Sequence, residues 1–154
     1  RPAGCVRPHR PLTMMLDLDQ VAARVRSQVS AFKVVGTSAD LDAALASPIA
    51  PAAYVIPLAE RAEAPILVGT YEQEVEQAFG VVLVVANLRD NTGGASVTDL
   101  RTLRQQLRAA LMGWVADPAE GFQARYTGGR LLRWADQRLW WTDEWSVATW
   151  ARVG

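Results

Sequence analysis

The sequence predicts an α+β domain: a small, mostly antiparallel sheet with helices packed on it. Three observations carry that expectation. Apolar residues recur at three- and four-residue steps near residues 18–32 and 96–114, the period of a helix with one buried face. Two long β-rich stretches, 70–88 and 139–152, each follow a shorter strand-like stretch across a turn-like connection, as hairpins do. The order is helix, helix, two strands, helix, two strands, which groups helices against an antiparallel sheet. A chain of 154 residues fits one domain, and at that size the core needs no covalent staples.

Residues 1–13 (RPAGCVRPHRPLT) stand apart from this pattern. They carry three Pro and three Arg, no helical or strand period, and no apolar segment of a signal peptide. They read as a disordered leader, a cloning remnant or an overlong start-site assignment, with a single domain over 14–154. The only Cys (Cys5) and the only His (His9) lie in this stretch. Beyond it the chain has 13 basic and 16 acidic residues, a net charge of −3. An acidic domain is a poor nonspecific nucleic-acid binder, because phosphate affinity needs a basic surface. Without cysteine it holds no disulfide or thiolate metal site. No apolar run approaches the ~20 residues of a membrane span, so no membrane partner is expected, and the cytoplasm is the default compartment.

The elements follow in order. Leu18, Val21, Ala22, Val25, Val29 and Phe32 share one face of the first helix; Asp17 is its expected N-cap, with Gln20 completing a capping box. Residues 32–35 suggest a short strand broken by Gly36. A second helix spans about 39–46, capped by Thr37 or Ser38 and ended by Ser47-Pro48. Residues 52–59 read as a strand whose Pro57 marks an edge or an end. The connection 60–69 resembles the turn region of a long hairpin. The strand from 70 to 88 is charged in its first half and continuously apolar in its second, so both faces of the second half should be covered. RDNTGGA (89–95) is a loop by composition, Ser96 the expected cap of the third helix, and Leu100, Leu103, Leu107, Leu111 and Trp114 its buried stripe. After Asp117-Pro118, Gly128-Gly129 mark a bend, 130–134 one strand, 135–138 a turn and 139–152 the last strand.

No catalytic centre emerges. Nucleophilic catalysis by Ser–His–Asp or Cys–His needs an imidazole, and the domain has none. Thr92-Gly93-Gly94-Ala95-Ser96 opens a helix, whose N-terminus can hold an anion, but it lacks the Gly-Lys-[Ser/Thr] and GxGxxG patterns and reads better as a tight turn before a helix. Glu72, Glu74 and Glu76 share one strand face. They suit a solvated face or a basic partner better than a cation, since Ca²⁺ draws six or more oxygens from a shaped loop. Arg101, Arg104 and Arg108 make a basic stripe expected opposite the leucines. The bland reading is a solvated helix face; the sharper one is an intersubunit contact with a neighbour's glutamates. No cofactor is expected.

Six tryptophans are many for this length, and five lie between Trp134 and Trp150. Alternation along the last strand puts Leu139, Trp141, Asp143, Trp145 and Val147 on one face and Trp140, Thr142, Glu144, Ser146, Ala148 and Trp150 on the other. Trp141 and Trp145 are expected in the core. Trp140 and Trp150 are expected on a solvent face, as candidates for a subunit interface or for cross-strand packing. A bulge near Asp143 would exchange the faces beyond it.

Four segments resemble the tail terminator family of long-tailed bacteriophages, in the version of Mu-like phages and prophages: PAAYVIPLAERAE (51–63), EVEQAFGVVLVVANLRD (74–90), DLRTLRQQLRAALMGW (99–114) and GGRLLRWADQRLWWTDEWSV (128–147). The resemblance is one of pattern and order, and it includes no catalytic motif. It implies a structural protein with no enzymatic activity, made in the host cytoplasm and carried in the virion tail. It implies a six-membered ring on the head-proximal end of the tail tube, which stops polymerisation, joins the head through a head-completion protein and lets DNA pass through its bore. Glu72, Glu74, Glu76, Arg101, Arg104, Arg108, Trp140 and Trp150 are then the candidate subunit-interface residues. The alternatives are another head–tail connector or neck protein and, from a different class, a small carboxylate-dependent metal enzyme.

Overall fold

Valine-rich runs that are apolar on both faces need cover on both sides, and this requirement organises the protein. The computed structural model describes residues 15–46, 49–86, 94–117 and 122–153. The expectations for the leader 1–13, for Ser47-Pro48 and for most of the 89–95 loop fall outside those residues. Helix α1 (Leu18–Gln28) leads to strand β1 (Val34–Thr37), helix α2 (Ser38–Ala46) and the hairpin β2 (Ala52–Ala62)–β3 (Tyr71–Ala86). Helix α3 (Gly94–Leu111) and the hairpin β4 (Arg125–Ala135)–β5 (Arg138–Val153) follow. The strands form one five-stranded sheet in the order β1-β2-β3-β5-β4, parallel between β1 and β2 and antiparallel elsewhere. Three helices on a mostly antiparallel sheet make it α+β.

The central pair β3–β5 stays in register from Tyr71↔Val153 to Ala86↔Arg138, so no bulge exchanges the faces of β5 near Asp143. On one face, Ala53, Val55, Phe79, Val81, Leu83, Leu139, Trp145 and Val147 pack with Val21, Val25 and Val29 of α1 and Leu103, Leu107 and Leu111 of α3. On the other, Ala52, Tyr54, Val82, Val84 and Trp140 pack with Ala44 of α2. Burial raises the Tyr54 pKa above its ordinary value, and the nearby charge of Asp40 raises it further. Among the described residues no helix is long and apolar enough to cross a membrane.

Several boundaries differ from expectation for visible reasons. Asp17 does cap α1, accepting from the Asp19 N–H at 2.9 Å, but Gln20 reaches across to the Ala116 carbonyl instead of closing a capping box. Thr37 precedes α2, and one half of such a box forms there: Asp40 Oδ2 accepts from the Thr37 N–H at 2.8 Å. Gly36 belongs to β1 rather than breaking it, because a Cβ at this position would lie 2.6 Å from that Asp40 oxygen. Helix α3 begins at Gly94, two residues before the expected cap Ser96. It ends at Leu111, so Trp114 lies beyond the helix, half-buried against the core. Pro57 sits where β1 no longer pairs with β2 and the β2–β3 register shifts, so its missing N–H costs no ladder bond on the open side. Gly128-Gly129 lie inside β4, beside a register shift, and not at a bend before it.

Candidate functional site

Of the eight candidate residues, Arg104 and Arg108 join a buried knot, Glu72, Glu74, Glu76 and Trp150 lie on a polar stretch of the sheet, Trp140 is covered and Arg101 stays exposed. The knot forms where α3 crosses β5. Asp143, the one charged residue on the apolar face of β5, is fully buried. Arg104 meets it at 3.0 Å through one terminal nitrogen and at 3.1 and 3.2 Å through Nε. The Trp141 indole N–H donates to the same carboxylate at 3.0 Å, and Arg104 also donates to the Tyr126 hydroxyl at 3.0 Å. The guanidinium carbon lies 4.5 Å from the centre of a Trp141 ring. Burial lowers the Arg104 pKa, but the hydrogen bond and charge of Asp143, helped by Tyr126, outweigh it and leave the pKa raised. Arg108 lies with its guanidinium carbon 4.4 Å over the Tyr126 ring.

Arg104 and Arg108 therefore flank the leucine stripe and turn toward the sheet; they do not stand opposite it. The reason is Asp143, whose buried charge requires a partner that only α3 supplies. Arg101 is exposed, as expected. Gly129, which faces Asp143 in the ladder, makes the knot sterically feasible: a Cβ there would fall 2.7 Å from Asp143 Oδ1 and 2.9 Å from the Tyr126 hydroxyl.

The polar face lies at the opposite end of β3. Glu72 pairs with Arg152 at 3.4 Å and Glu76 with Arg125 at 2.9 Å, while Glu74 lies opposite Trp150 in the ladder. The row thus meets arginines of its own sheet. Among the described residues no group of three or more His, Cys, Asp or Glu side chains could hold a metal ion. Trp150 is half-buried, its ring 6.3 Å from that of Phe122. Trp140 is not on a solvent face: it is 6 % exposed because α2 covers this side of the sheet. Trp145 is fully buried, and Trp141 sits half-buried at the margin of the core beneath Arg104.

Beyond Pro57 the sheet continues as three strands, with β3 paired to β2 as far as Ala62↔Val75 and to β5 as far as Tyr71↔Val153, and the exposed β2–β3 connection 63–70 extends it as a short arm. Ladder bonds extend to its end: the Glu63 N–H donates to the Glu74 carbonyl at 2.9 Å, and Ile66 and Glu72 exchange bonds at 2.6 and 3.1 Å. Gly69, at φ +79°, turns the tip, and Ile66, Leu67 and Val68 are exposed there. The signal for this apolar tip was the run Ile66–Val68 set between Pro65 and Gly69 inside an otherwise charged connection. The geometry is that of a sheet whose exposed end carries apolar side chains.

A model of the phage tail terminator protein family matches residues 13–152. The chain belongs to that family. The match takes in all three described helices and every strand of the sheet except the last residue of β5. A search of the curated proteins finds no match to the chain. As a tail terminator family member it is a structural component of a phage tail. Among the described residues, the face with Glu72, Glu74 and Glu76, the arm tip and the edge strand β4 are exposed or half-buried.

Proposed function

We propose that this tail terminator family protein closes the head-proximal end of the tail tube as a six-membered ring, ending tube growth and presenting the surface that joins the head. The family match over residues 13–152 carries this reading. Three features support it. A ring is a head-to-tail assembly and needs two different complementary patches on each copy; the protein offers distinct surfaces at the two ends of its sheet. The net charge of −3 beyond residue 13 suits a bore through which DNA slides without sticking. The β2–β3 arm, hydrogen-bonded as far as the Ile66–Glu72 pair, supplies an exposed contact element.

The partners are then other copies of the chain, the tube protein and a head-completion protein, in the host cytoplasm during assembly and in the virion tail afterwards. Glu74 and Arg101, exposed Trp150 surface and the ends of the glutamate row serve the subunit contact; Arg104 and Trp140 hold each copy together. No catalysis and no cofactor are part of this role. Native mass spectrometry across a concentration series is expected to show a single closed oligomer rather than an open-ended ladder. A strictly monomeric protein at every concentration and salt level would contradict ring formation by the chain alone.

A further inference from the structure

Among the described residues, the arm tip and the free edge of β4 are two places where three apolar side chains close in sequence are all exposed. At the tip, Leu67 is 71 % exposed and Val68 87 %. On β4, Leu131, Leu132 and Trp134 are all exposed, Trp134 at 43 %. β4 is the edge strand, and its register shifts between Leu131 and Arg133, which leaves Leu132 outside the ladder. Bulges of this kind discourage strand addition, so this edge is a poor template for a further strand.

The two patches lie at opposite ends of the molecule. The tip continues from Tyr71, while Leu131 pairs with Trp141, which pairs with Leu83. Twelve residues of extended β3 span roughly 40 Å, so no copy can cover its own β4 patch with its own arm. Their charges are opposite as well. Residues 57–75 hold four glutamates and one arginine, a net −3, and β4 holds three arginines and no acid, a net +3. Two of those arginines face glutamates of their own chain, Arg125 with Glu76 and Arg130 with Glu144. Arg133 has no ion-pair partner among the described residues, and it lies between Leu132 and Trp134.

We propose that the apolar tip of the β2–β3 arm of one copy docks on Leu131, Leu132 and Trp134 of the next copy, with arm glutamates facing Arg133. The contact is heterologous, so it propagates head to tail and closes a ring where the rotation permits. It rests on the ring reading above and adds an apolar contact to the polar one named there.

Cysteine crosslinking tests it in the full chain with Cys5→Ser. One preparation carries Leu67→Cys, the other Leu132→Cys, and the mixture is oxidised. Crosslinked heterodimer is expected several-fold above a mixture in which Met112→Cys, exposed elsewhere, replaces Leu132→Cys. In parallel, Leu67→Asp with Val68→Asp should shift sedimentation toward monomer with an unchanged far-ultraviolet circular dichroism spectrum, since an exposed tip adds little to the fold of each copy. If the wild type is oligomeric but the two mixtures crosslink equally, this contact is wrong and the ring reading stands. If the wild type is monomeric and neither mixture crosslinks, both the contact and self-assembly fall.

Discussion

Arg104→Ala is expected to destabilise the protein by about 3–5 kcal/mol, the cost of leaving a buried charge without its partner. Asp143 is fully buried, and after this substitution only the Trp141 indole and the Tyr126 hydroxyl, 3.0 and 3.4 Å away, face its carboxylate. Domains of this size are stable by roughly 5–15 kcal/mol, so the change removes a large part of the total. Asp143→Asn should cost less, because Arg104 is partly exposed and can turn toward water, while an amide keeps an acceptor for Trp141. Replacing both partners with apolar residues should be milder than Arg104→Ala alone, since the desolvation penalty then disappears together with the attraction. Urea unfolding of the two single variants and the double variant gives the coupling. A cost below about 1 kcal/mol for Arg104→Ala would place this pair with solvent-screened surface bridges.

The second large effect is expected at Trp145. Its ring is fully buried between the sheet and α3, edge-on to Tyr126 with centroids 5.3 Å apart. Truncation to Ala removes the largest wholly buried side chain and should cost about 3–5 kcal/mol through lost transfer energy and the cavity left behind. Trp145→Phe keeps much of the apolar volume. It also removes an indole N–H that is buried without a hydrogen-bond partner, so part of the loss of volume is offset. Urea midpoints should therefore rank wild type above or near Trp145→Phe, with Trp145→Ala far below both. Equal losses for the two variants would mean that the site depends on the indole and not on filled volume.

The helices and hairpins were legible because their periods are local. Val21 and Val25, or Leu103 and Leu107, declare a buried face by spacing alone, and alternation sorted β5 into its two faces correctly. What the spacing could not tell was what lies over each face. Trp140 was assigned to solvent because its strand neighbours are polar, yet Val84 stands beside it in the ladder. The doubly apolar half of β3 already implied cover on that side, and α2 supplies it. Glycine misled twice for one reason. Gly36 and Gly129 look like strand breakers, but each marks a place where a neighbouring carboxylate occupies the space of a Cβ. Asp143 was visible as the polar exception on an apolar face. Its partner was read as part of an exposed stripe, because a helical wheel does not say toward which side a long flanking arginine bends.

The family reading carries most of the functional account, since its candidate surfaces involve no reacting groups and leave no chemical signature in the sequence. The most direct measurement is tube growth itself. Purified protein is added to tail tube subunits while they polymerise, and tube lengths are followed by electron microscopy. The account predicts that substoichiometric protein arrests elongation and leaves ring density on one end of each tube. Tubes that keep their untreated length distribution and bare ends at saturating protein would contradict it.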